Sequence, residues 1–110
     1  METINRVELQ GTVGNVRIQE AGERKVLHIS VVTNRVGRNR EGENFVEASW
    51  HNVEAWEGPN IADFSKIVKG CGVHLSGRLR YSKYTGNDKV ERTAVDIVAS
   101  RLELVEDSVA

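Results

Sequence analysis

Apolar and polar residues alternate with a period of two along most of the chain. In residues 6–13 every second residue is apolar or glycine, and the residues between are charged or polar, which is the pattern of a strand with one buried face. Gly14 and Asn15 then allow a bend, after which Val16 and Ile18 continue the apolar side. The sequence therefore predicts a long, curved first strand.

Four further strands are predicted from β-branched residues, alternation and intervening turn residues. They span residues 26–33, 45–55, 73–84 and 90–98. Leu102 and Leu104 follow the last of them as a closing apolar pair. The segment 34–44 is polar and contains glycine, which predicts a loop between the second and third strands.

One short α-helix is predicted between the third and fourth strands, because Pro59 and Asn60 are a start signal and Lys69 and Gly70 a stop signal. The apolar residues that would share its inner face are Ile61, Phe64, Ile67 and Val68. Five strands with a helix in this position are the order of an all-β OB-fold, a five-stranded Greek-key barrel. We expect residues 1–105 to form this single domain and residues 106–110 a short flexible C-terminal end.

The charge distribution is compatible with an anionic partner although the sum is not positive. The chain of 110 residues has 15 basic and 16 acidic side chains. Four of the acidic residues lie near the ends: Glu2, Glu103, Glu106 and Asp107. Without these four, 15 basic residues face 12 acidic ones, so the body of the chain is modestly basic. This balance permits phosphate binding without requiring it.

The compartment is predicted from cysteine usage and from apolar segments. Cys71 is the one cysteine, which excludes an intramolecular disulfide and fits a reducing compartment. No apolar run approaches the ~20 residues of a membrane span, and the N-terminus has no apolar signal segment. We therefore expect a cytoplasmic protein without a membrane partner.

A run of alternating cations and rings carries the first indication of function. In residues 77–86, Arg78, Arg80 and Lys83 alternate with Tyr81 and Tyr84. Rings that stack on bases, beside cations that follow the backbone, suit single-stranded nucleic acid. A half-buried strand with a solvated basic face explains the same run, so both interpretations stay open on this segment alone.

Catalytic and metal-binding motifs are weak. Cys71 and His74 have a Cys-x-x-His spacing, but a tetrahedral zinc site needs further ligands and the other histidines are His28 and His51. Pairing Cys71 with His51 would give a nucleophile, yet no oxyanion hole is apparent around it. The Gly-Cys-Gly run lacks the spacing and Lys-Ser/Thr ending of a phosphate loop. We predict no catalysis, cofactor or metal.

Several stretches resemble bacterial single-stranded DNA-binding proteins, in the right order over residues 4–105. The matching segments are residues 5–11, the Trp-His-Asn-Val run at 50–53, residues 69–79 with their Lys-Gly start and Gly-Arg-Leu end, and the Tyr-Thr-Gly run at 84–86. The resemblance implies a homo-oligomeric OB-fold, a tetramer rather than a dimer, that coats single-stranded DNA without catalysis.

Carried over by position, the family's stacking residues fall on Trp50, Trp56 and Tyr84. An aromatic residue often found after the second strand is replaced by Val36 in this sequence. The resemblance therefore implies one fewer stacking platform and a loop that contacts phosphates through cations. The candidate phosphate contacts are Arg35, Arg38 and Arg40 in this loop and Arg78, Arg80 and Lys83 on the fourth strand.

Each aromatic candidate also has a structural explanation. Trp50 shares a face with Val46 and Ala48, so it fits a core position as well as a stacking position. Trp56 lies at a strand exit, where exposure is expected. Tyr81 shares a face with Leu79 and suits a core position and a ligand contact equally.

Members of the family typically continue into a flexible linker with an acidic tip that recruits replication and repair enzymes. This sequence stops at residue 110, so we expect a short member for which such recruitment is doubtful. The alternatives are a tailless protein that resembles primosomal replication protein N and acts through protein contacts, or an OB-fold scaffold for another oligomer. The segment 6–12 is the predicted edge shared between subunits.

Overall fold

The protein is an all-β barrel of five strands, as the sequence predicts. The computed structural model describes residues 1–106, and Asp107 to Ala110, assigned above to a flexible end, lie outside the described residues. The strands are β1 (Val7–Ala21), β2 (Arg24–Arg38), β3 (Asn44–Trp56), β4 (Gly72–Thr85) and β5 (Glu91–Val105). They close in the order β1-β2-β3-β5-β4, which confirms the OB-fold expectation.

β1 pairs with a different strand along each half of its length. Residues 7–12 pair with β4, and residues 12–21 pair with β2. The register with β2 shifts between Val13 and Val16, so the bend predicted at Gly14 and Asn15 is confirmed. On the far side, β3 and β5 pair in parallel over three residue pairs, from Val53↔Ile97 to Ala55↔Ala99.

Inward-pointing residues of all five strands form the core. Leu27, Val31 and Leu75 are fully buried, and the inward side chains of β1 and β5 pack against them. Burial alternates with exposure along β1 and β4, which is the period-two pattern read from the sequence. The outward side chains are thereby left free for a binding surface.

The predicted α-helix is wrong in type and length. The segment forms one 3-10 turn, η1 (Phe64–Lys66), which Asp63 caps by accepting a hydrogen bond from the Ser65 N–H at 2.9 Å. Before it, the chain is extended: Leu102 N–H donates to the Asn60 carbonyl, and Ala62 N–H donates to the Leu102 carbonyl. These bonds to β5 replace the first helical turn, although Phe64 still packs into the core as expected.

Two strand boundaries also differ from the prediction. The segment 34–44 is a hairpin rather than a loop, because β2 runs to Arg38 and pairs with β3 from Asn44 onward. The Asn39 side-chain oxygen accepts hydrogen bonds from the Glu41 and Glu43 N–H groups and forms the turn. Leu102 and Leu104 belong to β5 itself, which extends to Val105.

Gly77 is expected to be intolerant of a side chain. It lies at a register shift between β4 and β5, where a Cβ would collide with the Val98 carbonyl oxygen and lie 2.9 Å from the Ala99 Cα. Gly77→Ala should lower the free energy of unfolding by about 1–3 kcal/mol, since backbone must move to relieve the overlap. Urea unfolding measures this change.

Gly58→Ala is the matched control, because the nearest atom to its Cβ would be the Trp56 carbonyl oxygen at an ordinary 3.9 Å. Equal unfolding free energies for the Gly77 and Gly58 variants would contradict the packing described for the β4–β5 register.

Candidate nucleic-acid interface

The outward face of the β2–β3 pair carries the strongest candidate surface. Since Val53 and Ala55 point into the core, the alternate residues of β3 point outward. Trp50, Asn52, Glu54 and Trp56 therefore lie in one row along β3. We call this surface, with the residues of β2 that pair with the row, the β2–β3 face.

Trp50 is a surface residue and not part of the core. Its side chain is 61% exposed, which answers the question that the sequence left open. The ring crosses β2 and lies against β1: a Cβ on Gly14 would be 2.5 Å from the Trp50 six-membered ring and 2.9 Å from the Ser30 hydroxyl. The glycine at the bend of β1 therefore leaves the space that this ring occupies.

Trp56 lies at the other end of the row and is half-buried. The Arg24 guanidinium lies over its ring, 5.1 Å from the centroid, in a cation–π arrangement. The indole Nε1 donates to Glu54 Oε2 at 3.4 Å. Trp56 is thus held by two neighbours, with Arg24 covering one face of the ring.

A groove of about 530 Å³ lies on the outside of the barrel between these strands. Its polar lining comes from β1, β2, β3 and β5: Asn15, Arg17, His28, Ser30, Asn52, Glu54 and Asp96. Because Asn52 and Glu54 stand between Trp50 and Trp56 on β3, the groove lies between the two rings. The β2–β3 face therefore combines flat aromatic surfaces with hydrogen-bonding groups.

Arg80 has a different environment from the one expected of a phosphate contact. Its guanidinium donates to Glu54 Oε2 at 3.0 Å and to Asp96 Oδ2 at 3.2 Å, so it links β4 to β3 and β5. Partial burial acts to raise the pKa of Glu54, but the hydrogen bond and charge of Arg80 outweigh it and hold this pKa below its usual value. The placement favours a structural role for Arg80.

The β2–β3 hairpin separates the three arginines that the sequence grouped together. Arg38 points to the same side as Trp50, with its Nε 3.5 Å from the Asn44 side-chain oxygen. Arg35 points to the opposite side, where it lies over the Phe45 ring at 5.6 Å and 3.9 Å from a Glu47 carboxylate oxygen. Arg40 lies in the exposed turn.

The β4–β5 hairpin separates its candidates in the same way. Arg78 and Tyr84 point to the side of Arg80, and Tyr84 is 50% exposed. Tyr81 and Lys83 point to the opposite side; Tyr81 is 65% exposed beyond the end of the core, and Lys83 lies 3.5 Å from Glu91. The structure therefore brings Arg78 and Tyr84, but not Tyr81 and Lys83, to the outward side that carries the β2–β3 face.

Sequence reasoning missed Arg24, Glu54 and Asp96. Arg24 lies outside the predicted second strand, yet it begins β2 two residues before Val26, which pairs with Trp56. For Glu54, the one available signal was its position two residues before Trp56, on the same side of the strand. Asp96 lies beside Arg80 only because β4 pairs with β5, and the sequence alone does not show this pairing.

Neither a metal-ligand cluster nor a membrane-spanning helix is found within residues 1–106. No group of three or more histidine, cysteine, aspartate or glutamate side chains in this range is arranged to hold a metal ion. None of the helical structure over the same residues is long and apolar enough to cross a membrane. The groove and its two tryptophans remain the main candidate site.

The closed β1-β2-β3-β5-β4 barrel, with an aromatic row and a polar groove on its outer face, has the architecture of an OB-fold. The profile of the Single-strand binding protein family matches residues 4–105. The chain therefore belongs to this family, and the resemblance seen in the sequence is confirmed.

Two curated bacterial relatives are named single-stranded DNA-binding protein. The one from Xanthomonas campestris is 34% identical over 105 residues, which cover 93% of this chain and 60% of the relative. The one from Neisseria meningitidis is 34% identical over 108 residues, covering 94% and 60%. The chain thus spans about three fifths of the length of these relatives.

Two solved structures are similar in fold. A Plasmodium falciparum structure described as an SSB complex with ssDNA has a TM-score of 0.79 at 25% identity and covers 96% of this chain and 98% of its own. A deletion mutant of the single-stranded DNA binding protein from Thermus aquaticus has a TM-score of 0.77 at 17% identity, covering 96% and 52%. The second likeness supports the fold alone.

Proposed function

We propose that this protein binds single-stranded DNA independently of sequence and protects it during replication, repair or recombination in the cytoplasm. The observation that carries the proposal is the outward row on β3, in which Trp50 and Trp56 flank Asn52 and Glu54, two residues that line a polar groove. Family membership and the likeness to a structure described as holding ssDNA support it.

Binding follows from stacking and charge, and the proposal contains no catalytic step. Trp50 and Trp56 offer flat apolar surface to bases, and Tyr84 extends this surface onto β4. Arg38 and Arg78 are exposed cations that suit phosphates on the same side, and Arg40 is an exposed cation in the adjoining turn. Each base has a π-face and each phosphate a charge, so neither contact depends on sequence.

The alternative of a protein resembling primosomal replication protein N is less well supported. The two bacterial relatives described above carry the name single-stranded DNA-binding protein, and the matched family is the Single-strand binding protein family. A scaffold for another oligomer would leave the exposed Trp50, the half-buried Trp56 and the polar groove without a role.

Alanine substitutions of the rings test the stacking surface. We expect Trp56→Ala and Tyr84→Ala each to weaken binding to oligo-dT by about 1–3 kcal/mol, because a base loses its stacking partner. Trp50→Ala should act in the same range. Fluorescence anisotropy at fixed salt measures affinity, and circular dichroism checks the fold. Wild-type affinity in all three variants would exclude this surface.

Arg78 and Arg80 form a matched pair for testing charge. Arg78 is exposed and lies outside the ion pairs formed within residues 1–106, whereas Arg80 bridges Glu54 and Asp96. Arg78→Gln should weaken binding to all sequences alike and flatten the salt slope by about 0.7, as loss of one phosphate contact does.

Arg80→Gln should instead lower the free energy of unfolding, because it leaves two half-buried carboxylates without their cation, and the salt slope should be unchanged. Titrations at several salt concentrations, beside urea unfolding, measure both quantities. A flattened slope for Arg80→Gln with an unchanged slope for Arg78→Gln would reverse the two assignments.

We further propose a homo-oligomer, a tetramer ahead of a dimer. Residues 7–11 of β1 pair with β4 on one side, and β2 pairs with β1 only from Thr12 onward, so within the described residues the second edge of this segment has no strand beside it. A twofold copy can pair along such an edge. Light scattering at micromolar concentration should show a mass above that of one chain, and a monomer would refute the proposal.

A further inference from the structure

The groove between the tryptophans has carboxylates in its lining, which is unexpected for a surface that binds a polyanion. Glu54 and Asp96 line it, and their side chains are 14% and 27% exposed. Arg80 is the cation that holds both, so the three side chains together carry a charge of −1 when all are ionised. Phosphate is disfavoured at this position, and the base of a nucleotide fits better than its backbone.

One oxygen of each carboxylate has no hydrogen-bond donor within residues 1–106. Within residues 1–106, Arg80 and Trp56 donate to Glu54 Oε2, and Arg80 donates to Asp96 Oδ2, while Glu54 Oε1 and Asp96 Oδ1 take part in no hydrogen bond there. An ionised carboxylate accepts hydrogen bonds and donates none. The two free oxygens are therefore acceptors that need a donor from the ligand.

The other groups in the lining do not discriminate between bases in the same way. Asn15, Ser30 and Asn52 can each donate or accept a hydrogen bond, and His28 lies opposite Glu54 in the β2–β3 register. Arg17 can only donate, but it is exposed and suits the phosphate of the bound nucleotide. Selectivity in the groove thus depends on Glu54 and Asp96.

Bases differ at the edge that would face these oxygens. Cytosine, adenine and guanine carry an exocyclic amino group that donates. Thymine and uracil have one ring N–H donor, which lies between two carbonyl oxygens that would repel a carboxylate. A base stacked beside Trp50 or Trp56 can direct this edge into the groove, because Glu54 stands between the two rings on β3 and Asp96 lines the same groove from β5.

We infer, on the basis of the proposed function, that Glu54 and Asp96 give this protein a preference for bases with an exocyclic amino group, such as cytosine, over thymine and uracil at one position of the bound strand. The rest of the surface binds any sequence, and this groove adds a dependence on base composition. Arg80 acts as a positioning residue that fixes both carboxylates.

The test compares oligo-dC with oligo-dU of about 16 nucleotides, within the span of one OB-fold. The two bases differ where cytosine has an amino group and uracil an oxygen, and neither has the methyl group of thymine. The quantity measured is the ratio of the dissociation constants, Kd for dU over Kd for dC. A general change in charge or fold alters both constants and largely cancels in this ratio.

Glu54→Gln and Asp96→Asn should each lower the ratio, by about fivefold where the carboxylate makes one base contact. Glu103→Gln is the control with the same change of charge, since Glu103 lies on another outward face beside His74. An unchanged ratio in both groove variants, or an equal fall in Glu103→Gln, would overturn the inference.

A second experiment uses the wild-type protein and changes the oligonucleotide instead. Oligo-dC methylated twice at N4 has lost its amino donors, so wild-type protein should bind it about fivefold more weakly than oligo-dC. Equal affinity for the two would overturn the selectivity. If wild-type protein binds none of these oligonucleotides, the proposed function itself fails, which is a separate result.

Discussion

The register between β2 and β3 is the constraint on which both the core and the candidate surface depend. Leu27 opposite Ala55 and Ile29 opposite Val53 point inward, whereas Val32 opposite Trp50 and His28 opposite Glu54 point outward. A slip of one residue would put the tryptophans into the barrel and the core residues into water. The apolar free energy that closes the barrel therefore also positions the rings.

The ion pairs of Arg80 reinforce the weakest pairing of the barrel. β3 and β5 share three parallel residue pairs, the shortest pairing between neighbouring strands of the barrel formed by residues 1–106. Arg80 reaches from β4 across this region to Glu54 on β3 and Asp96 on β5. A charge-assisted link of this kind specifies geometry more than it adds stability, because burial of the charges offsets part of the attraction.

The strand centres were predictable, whereas features that depend on distant partners were not. Alternation marks a strand only where one face is buried, so residues 34–38, exposed on both faces, gave no such signal although they pair with β3. The helix prediction failed because Ala62 bonds to Leu102, 40 positions away. Likewise, the position of Arg80 in the sequence does not show that two carboxylates on other strands will surround it.

The arginine over Trp56 limits how that ring can be used. Arg24 covers one face of the indole, so a nucleobase that stacks on Trp56 must either use the opposite face or displace the guanidinium. Intercalation of this ring between two successive bases would require displacing the guanidinium and losing a cation–π contact. Trp56 is in this sense already stacked within the protein, and a base on its opposite face would extend a stack that Arg24 begins.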